Sequence, residues 1–166
     1  MDRAKVEAPS RAGFTRPRAQ LRLSLDMTQD ESPFDVIGGR DVVIDLAERF
    51  YDLMEAKEPE LTALHMTDAD GKITPELRHR FGLFLIGWLG GPQEYMERYG
   101  HPRLRMRHAH VPVTRAMRDA WMRCMIEALA ATPMPDLVRE FLEIRFFEVA
   151  DFLRNTPEEA EGLTQE

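Results

Sequence analysis

Glycine and proline divide residues 85–113 so finely that no long helix fits there, and this constrains the fold more than any other feature. The run Leu85-Ile-Gly-Trp-Leu-Gly-Gly-Pro-Gln-Glu-Tyr95 ends one helix on Gly90 and Gly91 and opens another at Pro92. Glycine tolerates the positive φ of a helix C-cap, and proline suits a first helical turn. Gly100 stops that second helix after residues 92–99. The run Tyr99-Gly-His-Pro-Arg-Leu-Arg-Met-Arg-His-Ala-His-Val-Pro-Val113 predicts another short helix, 102–109, with His108 near its end and a proline-punctuated corner after it. Thr114 supplies a capping hydroxyl for a helix near 115–131, which presents Trp121 thirteen residues after His108.

The flanking segments are helical too. Phe34-Asp-Val-Ile-Gly-Gly39 is a short apolar element closed by glycines. Residues 40–56 place Val43, Leu46, Phe50 and Leu53 at spacings of three and four, one buried helical face. Lys57-Glu-Pro-Glu60 breaks it, Leu61–His65 reads as one turn, and residues 67–72 form a loop. Thr74-Pro75-Glu76 is a helix start, followed by the apolar stripe Leu77, Phe81, Phe84, Leu85 and Trp88. A last helix near 135–154 is expected to bury Leu137, Phe141, Leu142, Phe146, Val149 and Leu153. With no strand pattern of convincing length and no repeat, the class is all-α, and the many short turns exclude a simple four-helix bundle.

At 166 residues the chain has the size of one domain, large enough for a core and a ligand pocket. Its net charge of −7 argues against general nucleic-acid binding. Cys124 is the only cysteine, so no intramolecular disulfide forms and a cytoplasmic setting fits. No apolar run approaches the ~20 residues of a membrane span. The first thirty residues differ: Arg3, Lys5, Arg11, Arg16, Arg18 and Arg22 lie among small and polar residues without a signal-peptide core. Residues 1–32 therefore read as a disordered basic extension, a transit-like or surface-binding helix being the alternative. Met27 is a candidate start that would make the tail an artefact.

Several chemical motifs fail on inspection. Asp68-Ala-Asp70-Gly begins like a calcium loop, but the twelfth position is His79 rather than glutamate. Gly90-Gly91 lacks the strand and lysine of a phosphate loop. Cys124 has no nucleophile motif and reads as a core thiol. His101, His108 and His110 form no zinc set, since His108 and His110 are two apart and point to different helix faces. His108 sits beside Arg103, Arg105 and Arg107, either a solvated charged face or partners for an anionic group.

Five segments decide between these readings: Arg-Phe-Tyr at 49–51, Trp-Leu-Gly-Gly-Pro at 88–92, Tyr95, Gly-His-Pro-Arg-Leu-Arg-Met-Arg-His-Ala at 100–109, and Asp-Ala-Trp-Met-Arg-Cys-Met at 119–125. In order and spacing they resemble the group II truncated haemoglobins, over residues from about 33 to 154. The resemblance implies a 2-on-2 helical sandwich around haem b, with residues 33–154 as the globin domain and 155–166 as a polar tail. It makes His108 the proximal iron ligand, Tyr51 the distal tyrosine and Trp121 the tryptophan lying along the haem. Leu77, Phe81 and Phe84 match pocket-lining positions; Arg80, Arg107 and Tyr95 match the propionate side. Oxygen, nitric oxide or carbon monoxide are the implied ligands. Nitric-oxide dioxygenase or peroxidase-like activity is implied with an external reductase, because the chain has no flavin or nicotinamide motif. Monomer and homodimer both remain open.

The chain also departs from the family. His110-Val111 stands where Pro-Phe is common, His65 stands where a tyrosine or phenylalanine often faces the haem, and Leu77 replaces the distal histidine of many globins. Tyr51 and Trp121, with His65, are left as hydrogen-bonding groups. A haem-free helical interaction module is the competing class, and it would purify colourless. Because residues 1–26 lack a periodic apolar face, deleting them should leave haem content and thermal midpoint nearly unchanged, as for an undocked terminus. A large loss of either would show that the tail packs on the domain.

Overall fold

The computed structural model describes residues 31–157, so the basic extension and the end of the polar tail lie outside the described residues. Among those described there are eight helices: α1 (Pro33–Val36), α2 (Arg40–Lys57), α3 (Pro59–Thr62), α4 (Pro75–Trp88), α5 (Glu94–Tyr99), α6 (Leu104–His108), α7 (Arg115–Ala130) and α8 (Asp136–Phe152). They include no strand, only an isolated bridge between Thr67 and Ile73. No helix among them is long and apolar enough to cross a membrane. α2 packs on α4, α7 packs on α8, and α2 joins the two pairs through α7.

Local chemistry sets the boundaries. Ser32 and Asp35 form a capping box on α1, Thr74 accepts the Leu77 N–H to start α4, and Thr114 accepts the Met117 N–H to start α7. At the end of α4, Gly90 takes φ 96°, a value that strains any residue with a Cβ, and the Gly91 N–H returns to the Ile86 carbonyl at 2.8 Å. Gln93 closes the corner by donating to the Gly87 and Gly91 carbonyls. α5 therefore begins at Glu94, two residues after Pro92, because Gln93 is occupied with the preceding helix.

The buried stripe of α2 is Val43, Leu46, Ala47, Phe50, Tyr51 and Met54; Leu53 lies at its edge and is half-buried. On α8 the fully buried positions are Val138, Leu142, Phe146 and Ala150. Leu142 and Phe146 are buried as expected, whereas Leu137, Phe141, Val149 and Leu153 are only half-buried, because Val138 and Ala150 take the inward places at the two ends of the face. Phe50, Leu46, Met54, Met125, Leu129 and Leu142 are sealed completely and form the common centre of the two pairs.

One ionic network ties α2 to α4. Arg78 Nη1 donates to Glu48 at 2.7 Å and to Asp52 at 2.9 Å, and Nη2 donates to Glu55 at 2.9 Å. Glu55 also accepts the Ile73 N–H at 2.8 Å and pairs with Lys72 at 3.3 Å. The side chains of Arg78 and Glu55 are only 12% and 10% exposed, so each needs the other. Burial opposes ionisation of Glu55, but the bonds from Arg78, Ile73 and Lys72 outweigh it and hold the carboxyl below its ordinary value. A lowered carboxyl value gives stability that is full above the unfolded value and is lost as pH falls through the folded one. Arg78→Met should therefore cost on the order of 3 kcal/mol in urea unfolding, by leaving Glu55 buried and uncompensated. Glu55→Gln should flatten the acid limb of stability between about pH 5 and pH 3. An acid limb identical to that of the parent would show that Glu55 is not linked to folding.

Candidate functional site

Between the two helix pairs lies a cavity of about 400 Å³, within the range of small-molecule and cofactor pockets. Its walls come from seven helices, α2 to α8, from the turn after α3 and from the corner between α6 and α7. Tyr51, His65, Leu77, Arg80, Phe81, Phe84, Tyr95, Arg107, His108 and Trp121, the ten residues singled out in the sequence, all line it. They are brought together from positions as far apart as 51 and 121. Leu104, Val149 and Leu153 line it as well, and sequence reasoning gave the last two only a place in the core. Their spacing of three and seven from Phe146 signals an inward face, but an inward face borders a cavity or a core with the same pattern.

Aromatic rings form a continuous wall. Tyr51 meets Phe81 edge-on at 5.3 Å, Phe81 stacks with Phe84 at 6.4 Å, and Phe84 meets Tyr95 edge-on at 5.7 Å. On the other side Trp121 contacts Phe50 at 5.0 Å and Phe146 at 5.8 Å. These separations are those of favourable quadrupolar pairs, which hold the ring planes against collapse into the cavity.

Few polar groups enter this apolar space, and each has a defined state. His108 Nδ1 lies 2.7 Å from the Leu104 carbonyl, and a carbonyl only accepts, so Nδ1 carries the hydrogen. In the neutral imidazole Nε2 is then a bare lone pair. His65 repeats the arrangement, with Nδ1 donating to the Leu61 carbonyl at 2.8 Å. Burial lowers the His65 pKa and outweighs the opposing bond to Leu61, so the neutral ring is favoured. Burial also pushes the Tyr51 phenol well above its ordinary value, despite the Arg78 guanidinium 5.7 Å from the ring centroid, and keeps it a hydroxyl donor. Neither the Tyr51 hydroxyl nor the Trp121 indole N–H has a hydrogen-bond partner among the described residues. Cys124, one turn beyond Trp121 on α7, is buried outside the cavity lining, where desolvation lifts its thiol to about 11, and it is no part of the site.

The basic residues divide. Arg107 reaches the cavity rim and donates from Nε to the Pro102 carbonyl at 2.7 Å. Arg103 and Arg105 do not line the cavity; Arg103 starts α6 with φ 45°, and Arg105 lies over the Phe152 ring at 4.6 Å. The shared charged side expected for all three is thus absent, because residues two apart diverge around a helix. Arg80 donates from Nη2 to Glu76 and stacks on Tyr99, but its buried Nε has no partner. His110 borders the cavity, whereas His101 accepts the Arg103 N–H away from it.

An aromatic-walled cavity with a pinned imidazole and arginines at its edge, enclosed by helices, is suited to a large apolar cofactor with acidic groups. A family profile for bacterial-like globins matches residues 32–154. The chain is 34% identical over 111 residues to the group 2 truncated hemoglobin YjbI of Bacillus subtilis (strain 168), covering 67% of this chain and 79% of that one. The cold-adapted truncated hemoglobin of Pseudoalteromonas haloplanktis TAC125 superposes with a TM-score of 0.71 at 33% identity, over 76% of this chain and 100% of that one. The group II 2-on-2 hemoglobin of Agrobacterium tumefaciens gives 0.71 at 31% identity, over 78% and 98%. The chain belongs to the bacterial-like globin family, among the group II truncated haemoglobins with their 2-on-2 fold.

That membership implies a haem, and the residues present fit one. The cavity walls are apolar and aromatic, an imidazole lone pair is free in the cavity, and the orphaned Arg80 Nε is a buried donor that a carboxylate would satisfy.

Proposed function

We propose that the chain holds haem b in this cavity, with His108 Nε2 the nitrogen that would ligate the iron. Oxygen would be the diatomic ligand, for redox chemistry with oxygen or nitric oxide. The observation that carries this reading is the His108 imidazole, whose Nδ1–H is fixed on the Leu104 carbonyl and whose other nitrogen is unencumbered. Such a bond sets the tautomer and raises the basicity of the ligating nitrogen. Arg80 and Arg107 neutralise the propionates through charge-assisted hydrogen bonds. When bound, the haem supplies an iron centre that takes up a diatomic gas and exchanges electrons.

The chain's own residues do the rest. Phe81, Phe84 and Leu77 keep water from the ligand side. Tyr51 O–H and Trp121 N–H donate hydrogen bonds to a ligand that acquires negative charge, an electrostatic stabilisation that favours retention over delivery. Leu77 offers no such bond. His65 in its observed tautomer offers only an acceptor, since its one N–H is engaged by Leu61. The electrons for turnover come from a separate reductase. A peroxidase-like reaction draws on the same residues and is separated by which oxidant the reduced protein consumes.

Ferric and dithionite-reduced absorption spectra of the purified protein should show about one haem b per chain, and His108→Ala should lose proximal ligation. A His108→Ala variant with the parent ferrous–CO spectrum would sink the assignment, and a chain that refuses hemin would be the helical interaction module instead. Tyr51→Phe and Trp121→Phe should each release oxygen faster. Loss of one donor costs on the order of 1–3 kcal/mol, about fivefold to more than a hundredfold in rate. Carbon monoxide release should change less, and the double variant should fall short of additivity because both donors serve one ligand. Stopped-flow rates equal to the parent in all three variants would mean that another group holds the ligand.

A further inference from the structure

The helix that carries His108 has almost nothing of its own to hold it. α6 is five residues long, has no side-chain cap and buries none of its residues. It starts at Arg103 in the left-handed region, at φ 45° and ψ 52°, and its Met106 is 66% exposed. A single uncapped turn without a buried face is not stable alone. Yet the position of an axial imidazole must be set closely if its nitrogen is to meet a metal.

The segment after α8 does this work. Asn155 Nδ2 donates to the carbonyl of His108 itself at 3.0 Å and to the Val111 carbonyl at 2.9 Å. Asn155 Oδ1 accepts the Val113 N–H at 2.9 Å and the Thr156 hydroxyl at 3.3 Å, and the Asn155 N–H donates to the Val113 carbonyl at 3.2 Å. Both amide hydrogens and both oxygen lone pairs are thereby used, and the partners fix which end of the amide is which. Three residues upstream, Phe152 carries the Arg105 guanidinium on its ring, which accounts for an otherwise exposed phenylalanine. The family profile ends at residue 154, one position before this clamp.

We infer that Asn155 is the positioning residue of the proximal histidine: it locks the corner after α6 to the end of α8 and so sets where the His108 imidazole stands in the cavity. This rests on the reading of His108 as the iron ligand. No other side chain of similar size supplies two donors and an acceptor in this geometry. Aspartate, its isostere, would turn carboxylate oxygens toward the His108 and Val111 carbonyls. α6, without the clamp, would keep its sequence but lose its anchor on the side of the ligand.

The test uses the full-length haem-loaded protein and reads the iron–histidine stretching band of the ferrous, ligand-free form by resonance Raman. The rate of haem transfer to an excess of apomyoglobin is measured alongside. Asn155→Ala and Asn155→Asp should shift the band to lower frequency and broaden it, and should speed haem transfer on the order of fivefold or more. Leu129→Ala, a truncation in the sealed core away from the cavity lining, is the control for lost stability alone; it should lower the thermal midpoint and leave the band in place. If Asn155→Ala does not fold, Asn155→Ser decides by the same band, because its hydroxyl replaces only one of the lost donors. An unchanged band and unchanged transfer rate in the Asn155 variants would overturn the positioning role. An iron–histidine band that survives in His108→Ala would overturn the ligand assignment itself, a separate outcome.

Discussion

The wall of the cavity that carries Tyr51 and His65 depends on one ionic network centred on Arg78. Its guanidinium joins Glu48, Asp52 and Glu55 of α2 to the first turns of α4, and lies 5.7 Å from the Tyr51 ring centroid. Through Glu55 the same network takes the Ile73 N–H and Lys72, so it also closes the loop that runs from His65 to the start of α4. Tyr51, His65 and the Leu77–Phe84 wall are thus located by one shared set of charges. An apolar contact in that place would hold the helices together equally well. It would not set their rotation, which decides whether Phe81 and Phe84 face the cavity or the core.

The opposite side is built on another principle. α6 buries nothing, so its place comes from the ends of other elements: the Pro102 carbonyl under Arg107, the Phe152 ring under Arg105 and the amide of Asn155. These are hydrogen bonds and surface contacts rather than packed volume. They fix a position without filling the cavity, which a tightly packed helix at this point would tend to do. The two sides divide the labour: buried side chains from the long helices shape the walls, and backbone carbonyls orient the two imidazoles.

What the sequence made legible follows from this division. Caps and periodic faces act over three or four residues, so Thr74, Thr114 and the stripe of α2 placed their helices to within about a turn. The five motifs brought Tyr51, Tyr95, His108 and Trp121 to one place through a family pattern that periodicity alone does not contain. The start of α5 was misplaced because a side-chain amide, Gln93, overrode the preference of Pro92 for a first turn. On α8 Leu142 and Phe146 were legible, but Val138 rather than Leu137 takes the inward place at the start, because both are apolar and only the packing chooses between them. Arg78 and Asn155 gave no signal at all: a single arginine among many charges, and an asparagine in a polar terminal stretch, acquire meaning only from partners 23 to 47 residues away.

The two cavity histidines show how far local geometry constrains chemistry. Each ring donates its Nδ1–H to the carbonyl four residues before it, Leu61 for His65 and Leu104 for His108. Each therefore presents a lone pair and no hydrogen to the cavity while it is neutral. For His108 that is the state a metal requires. For His65 it removes the role most often given to a polar group near a diatomic ligand, since donation from Nε2 needs a protonated ring or a flipped one. Burial disfavours the first, and the Leu61 bond disfavours the second. The donors must then be groups whose hydrogen is not in question. Tyr51 is a phenol that burial keeps protonated, and Trp121 is an indole whose nitrogen donates and never accepts. The polarity of the pocket is thus set by the carbonyls of Leu61 and Leu104.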